Sequence, residues 1–126
     1  MNSYGECSVG LLIVDDSEIM RERLKTMLSE VPKVETIDRA KNPQEAIEFV
    51  NKLHPDAVIM DVQMQGGSVL DLIREIKKGK KLPKLIILTN ESYPQYRKRC
   101  FEAGADFFFD KSTEFDEVVK VLERAM

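Results

Sequence analysis

Cysteine is scarce in this chain, with only Cys7 and Cys100 among 126 residues. One lies in a polar N-terminal stretch and the other within a helical pattern, so no disulfide framework is expected. Both read as free thiols of a reducing compartment. A surplus of either charge is also missing. Lys and Arg number 19 against 22 Asp and Glu, a net charge of -3, which offers no general attraction to nucleic acid or an anionic membrane. No apolar run approaches the roughly 20 residues of a membrane-spanning helix. Residues 1–9 lack the basic start and long apolar centre of a signal peptide. Repeats, low-complexity tracts and linkers are absent as well. Together these absences lead us to expect a soluble, cytoplasmic protein that neither inserts into a membrane nor binds DNA directly. The length suits a single domain, with a short tail over residues 1–9 and the folded unit over 10–126.

What is present is an alternation of apolar runs and amphipathic patterns. The runs Gly10-Leu11-Leu12-Ile13-Val14, Ala57-Val58-Ile59-Met60, Leu85-Ile86-Ile87-Leu88 and Phe107-Phe108-Phe109 read as strands, as does the segment 34–40. Between them, Met20, Leu24, Met27, Leu28 and Val31 share one helical face, and Ala46, Ile47, Val50 and Leu53 another. Asn42-Pro43-Gln44-Glu45 is a good helix start. Gly66-Gly67-Ser68 reads as a loop, followed by a helix with Val69, Leu70, Ile73 and Ile76 inward. A helix over about 94–103, with Tyr96 and Cys100 inward, ends at Gly104. The last helix turns Phe115, Val118, Val119, Leu122 and Ala125 inward. The basic cluster Lys77, Lys78, Lys80, Lys81 and Lys84 reads as a solvated helix end and loop. Strands too apolar to keep a wet face, separated by amphipathic helices, predict a parallel sheet covered on both sides, a three-layer α/β/α sandwich.

The polar residues of interest close the runs: Asp15-Asp16 after the first, Asp61 after the third, Thr89 after the fourth and Lys111 shortly after the fifth. In an open parallel sheet those C-terminal ends lie at one edge, where ligands bind. Taken singly, each has a plainer reading: the two acids as helix caps, Asp61 and Thr89 as ordinary strand ends, Lys111 as a solvated loop residue. Taken together they make an acidic pocket with one lysine and one hydroxyl. Clustered carboxylates repel unless a cation compensates. Magnesium suits such a set, since it favours one or two carboxylates, waters and a phosphate oxygen. On this reading Asp16 and Asp61 bind the metal directly and Asp15 through water.

In these motifs the chain resembles the receiver domain of two-component response regulators, of the single-domain chemotaxis type. The motifs are Val14-Asp15-Asp16-Ser17, Met60-Asp61-Val62-Gln63-Met64, Leu88-Thr89 and Asp110-Lys111, each after its strand and in order. The resemblance implies a flavodoxin-like sheet of five parallel strands in the order 2-1-3-4-5. It implies Asp61 as phosphoacceptor, Asp15 and Asp16 as metal-binding acids, and a backbone carbonyl of Gln63 on Mg2+ or, alternatively, Mn2+. It further implies Lys111 as phosphoryl contact, Thr89 as switch hydroxyl, Phe108 at the aromatic switch position, and Gln63 with Glu91 as the pair tuning dephosphorylation.

The chain departs from that family's usual pattern in four places. Gln65 stands where Pro is usual, Val69 where Gly is usual, and Asn90 where a small residue follows the threonine. Ser112 follows the lysine in place of a cis-linked Pro. A cis bond before a non-proline residue costs roughly 2.5–4 kcal/mol, so a trans bond and a displaced lysine are expected. The implied function is a phosphoacceptor switch, not an enzyme acting on a separate substrate. Its partners would be a histidine kinase or phosphotransfer protein and a separate downstream protein. The alternatives are a receiver-fold module that docks without phosphorylation and, less well matched because Gln63 replaces a second acid, a metal-dependent phosphohydrolase.

Overall fold

The computed structural model describes residues 9–61, 69–79, 82–90 and 94–125. Five strands alternate with five helices: β1 (Val9–Val14), α1 (Glu18–Leu28), β2 (Val34–Ala40), α2 (Pro43–Leu53), β3 (Ala57–Met60), α3 (Val69–Ile76), β4 (Lys84–Thr89), α4 (Pro94–Ala103), β5 (Phe107–Asp110) and α5 (Glu117–Ala125). All strand pairs are parallel, in the order β2-β1-β3-β4-β5. β1 begins at Val9, one residue earlier than expected, because its N–H already bonds the Lys33 carbonyl at 2.7 Å.

The period-two alternation of strand side chains divides the core into two layers. Leu12, Val14, Met60, Ile87 and Phe108 face α2, α3 and α4. Leu11, Ile13, Ile59, Ile86 and Leu88 face α1 and α5, where Val118 and Leu122 meet them. Both faces of β1, β3 and β4 are thus dry. β2 is not: it mixes half-buried and exposed residues and reaches full burial only at Ala40. It is an edge strand, with Glu35 and Arg39 exposed and Asp38 half-buried.

The helix starts follow their capping residues. Ser17 caps α1 through its hydroxyl on the Met20 N–H. Asn42 Oδ1 accepts the Glu45 N–H at 2.8 Å, while Glu45 reaches back to the Lys41 N–H at 3.0 Å, and Pro43 opens the helix without needing a donor. At the far end of α2 the expected inward stripe fails at Leu53, which is 45% exposed. The next residue, His54, is left-handed (φ 49°) and turns the chain out of the helix there. Leu72, not counted in the expected stripe of α3, is buried, while Leu70 is only half-buried. Lys77 is also not solvated: it pairs with Asp106 at 2.8 Å and bonds the Pro83 carbonyl at 3.0 Å. Cys7, Lys80, Lys81, Gln65 and the Gly66-Gly67-Ser68 loop lie outside the described residues.

Candidate functional site

The sheet's C-terminal edge is tied together by backbone bonds that run from one strand end to the next. Asp15 N–H donates to the Ala40 carbonyl (3.1 Å), Asp61 N–H to Val14 (3.1 Å) and Lys111 N–H to Thr89 (2.9 Å). Each of these three residues is therefore held by a neighbouring strand's last carbonyl, which brings chemistry from distant parts of the chain into one place.

Lys111 is the hub. Its ammonium lies 2.7 Å from Asp61 Oδ2 and 3.2 Å from Asp15 Oδ2, with Asp61 7% and Asp15 2% exposed. The Lys111–Ser112 bond is trans, since none of the described peptide bonds is cis. The expected displacement of the lysine does not follow, because it makes both contacts. Asp15 Oδ1 also accepts the Ser17 N–H at 2.9 Å. Burial pushes the Asp15 carboxyl above its usual value. The Ser17 amide and the Lys111 charge pull it back, and the Asp61 charge pushes it up again. Among the described residues, two buried carboxylates face one ammonium, which leaves the pocket net negative.

Asp16, adjacent to Asp15, is exposed at the start of the β1–α1 turn. Among the described residues, no three acidic, His or Cys side chains are grouped to hold a metal. The structure thus brings Asp15 and Asp61 together and leaves Asp16 on the rim, whereas the sequence suggested Asp16 as the closer ligand. The donor set nevertheless fits a hard divalent cation: carboxylate oxygens already converge on one positive centre, and the local charge is undercompensated.

Thr89 is fully buried at the end of β4, opposite Asp110 in the ladder. Phe108 is 3% exposed, packed within the α2–α3–α4 layer. Its ring meets Phe101 at 6.5 Å, and the Arg97 guanidinium covers both rings at 5.5 and 5.9 Å, an attractive arrangement of cation and π face. Tyr96, half-buried on α4, has its phenol raised chiefly by burial and then by Cys100, with the Asp61 charge pushing the same way. Asn90 is exposed just beyond Thr89. Gln63 and Glu91 lie outside the described residues.

Some of the site was not foreseen. The Arg21 guanidinium donates to the Asp15 carbonyl, and a bond to main chain leaves no trace in side-chain patterns. Asp110 accepts the N–H and hydroxyl of Ser112; the Asp-x-Ser spacing, a common turn signal, was available to indicate it.

Comparison with known proteins places these observations. The model of the response regulator receiver domain matches residues 11–123. The sensory transduction protein LytT of Enterococcus faecalis is 31% identical over 91% of this chain and 47% of its own length. A protein-glutamate methylesterase/protein-glutamine glutaminase of Alkalilimnicola ehrlichii is 34% identical over 91% of this chain and 31% of its own. The chain thus spans about half or less of these relatives. Among solved structures, the response regulator domain of Thermotoga maritima CheB superposes with a TM-score of 0.79 at 27% identity, covering 94% of this chain and 92% of that one. Chemotaxis response regulator CheY4 of Vibrio cholerae gives 0.83 at 21% identity, covering 94% and 99%.

Proposed function

The chain belongs to the response regulator receiver domain family, and on that premise we propose that it is a phosphoacceptor whose Asp61 takes a phosphoryl group from a phosphohistidine donor. The observation that carries this reading is the convergence of Asp61 and Asp15 on the Lys111 ammonium.

An Asp61 carboxylate oxygen attacks the phosphorus, the P–N bond breaks, and its electron pair stays on the donor imidazole. Lys111, gripping Oδ2, fixes the rotation of the carboxylate before attack and lies where it can contact a phosphoryl oxygen as charge gathers there. Asp15, Asp16 and Asp61 would hold Mg2+ (or Mn2+), with a Gln63 carbonyl as a further ligand, and the metal would supply charge stabilisation to the transferring oxygens. Asp15 is held from all sides, so it supplies a fixed oxygen to that pocket. Thr89, buried at the end of β4, serves as the hydroxyl that responds to the acyl phosphate, and Gln63 and Glu91 tune its hydrolysis.

A donor protein would have a foothold on α1, the helix that follows Asp15 and Asp16 in the chain. A groove of about 840 Å³ runs along α1, lined by Ile19, Glu22, Arg23, Met27 and Phe115 among others, and Ile19 is 76% exposed. Such an apolar anchor suits a histidine kinase or phosphotransfer protein, with the signal then passed to a separate protein through α4, β5 and α5.

The test is transfer from a histidine kinase or acetyl phosphate with and without Mg2+. Wild type should be labelled only with the metal, and Asp61→Asn not at all; full labelling of Asp61→Asn would refute the assignment. A second reading is docking without phosphorylation, for which the Phe108 ring, buried in the α2–α3–α4 layer, would be set in place by core packing.

A further inference from the structure

The turn that delivers Lys111 is built from side chains the reaction itself does not use. β5 is an edge strand, so every second N–H along it faces away from β4. Lys111 N–H points inward to the Thr89 carbonyl; by alternation the Asp110 N–H points outward, where Glu114 Oε1 accepts it at 3.1 Å. The Glu114 N–H returns to the Asp110 carbonyl at 2.8 Å. Asp110 Oδ1 takes the Ser112 N–H at 2.7 Å and the Ser112 hydroxyl as well. Lys111 lies inside this closed ring of bonds, its side chain 9% exposed and turned to Asp61 and Asp15.

We propose that Asp110, Ser112 and Glu114 are positioning residues for Lys111, holding its ammonium on Asp61 through a trans peptide at the position where the receiver-domain resemblance implies proline. The inference rests on the reading of Lys111 as the phosphoryl contact. It has a counterintuitive consequence. Restoring the family's usual residue, Ser112→Pro, deletes the N–H that Asp110 binds and releases the lysine instead of improving its placement.

The experiment is trace acetylation of the full chain with acetic anhydride, read lysine by lysine by peptide mass spectrometry. Exposed Lys25 serves as the reactive standard. Lys77, paired with Asp106 near the N-terminal end of β5, reports any general loosening of the fold. Lys111 should be slow in wild type. In Ser112→Pro and Asp110→Ala its rate relative to Lys25 should rise about tenfold, the size expected for losing one or two hydrogen bonds, with Lys77 unchanged. Asp110→Asn keeps an acceptor oxygen and should behave as wild type. An unchanged Lys111 rate in both disruptive variants overturns the proposal, as does an equal rise at Lys77 in both. Acetyl phosphate labelling of the same proteins separates the two claims. Wild-type labelling rates in both variants would refute the turn's role and leave the phosphoacceptor reading intact. Lysine protection that depends on the turn, in a chain that never labels at Asp61, would refute the phosphoacceptor reading and leave the placement of Lys111 standing.

Discussion

Every polar atom of Asp15 has a partner: its amide the Ala40 carbonyl, its carbonyl the Arg21 guanidinium, Oδ1 the Ser17 amide and Oδ2 the Lys111 ammonium. That arrangement explains both what was legible in the sequence and what was not. Asp15, Asp61 and Lys111 could be placed together because each follows an apolar run, and parallel strands end on one edge. Both acids lie beyond the end of β1, Asp15 buried and Asp16 exposed; the motif alone does not say which of the two is the more buried. Asn90 is exposed beside Thr89, and we propose that it borders the way into the pocket. Asn90→Ala should speed both acetyl phosphate labelling and spontaneous decay of the acyl phosphate by several-fold; unchanged rates in both would show that Asn90 is no gate. Cys100 is buried, and burial raises its thiol from 9.0 to about 11. Between those values the unfolded chain has lost the proton that the folded one keeps, so this group's contribution to stability falls as pH rises from about 9 to 11. Denaturant titrations of wild type and Cys100→Ala should diverge in slope across that window. The thiol should also resist alkylation at neutral pH until the chain unfolds.

At the scale of elements, Gly104 has two independent reasons to be glycine. Its φ is +127°, and it ends α4 with the Gly104 N–H on the Phe101 carbonyl and the Ala105 N–H on Cys100, the paired bonds of a Schellman stop. A Cβ there would also stand 2.9 Å from Lys77 Cγ, on a side chain already pinned by Asp106 and Pro83. Gly104→Ala should cost roughly 1–3 kcal/mol, read as a lower urea midpoint with an unchanged m-value; a loss below a few tenths would mean that the turn relaxes freely. Helix starts and the Gly104 stop were readable from local chemistry, because caps act over three or four residues. The span of β2 was read correctly, but its wet face and the exposure of Leu53 were missed for a different reason. Whether a strand is central or at the edge, and where a left-handed cap turns the chain away, depends on partners far off in sequence. The burial of Lys77 likewise comes from Asp106, 29 residues away.

Over the whole molecule, the sheet order β2-β1-β3-β4-β5 places β1 and β3 at the centre, so the acids lie in the middle of the edge with Thr89 and Lys111 to one side. The order itself was legible only through resemblance; alternating periodicity gives the layers, not the sequence of strands across them. We propose that Thr89 couples this site to the face formed by α4 and β5, where Arg97 and Phe101 pack on the Phe108 ring. Binding of beryllofluoride with Mg2+ should shift backbone amide resonances along α4 and β5 in wild type. In Thr89→Ala the mimic should still bind while those distant shifts largely vanish; undiminished shifts would mean that the hydroxyl carries no coupling. The claim beneath all of these is a metal-dependent acyl phosphate on one carboxylate, and site mapping tests it most directly. After incubation with a phosphodonor and Mg2+, borohydride reduction and peptide mass spectrometry should find one modified residue, Asp61, and none when the metal is chelated. Modification at Asp15 or Asp16, or an equal yield in chelator, would contradict the account.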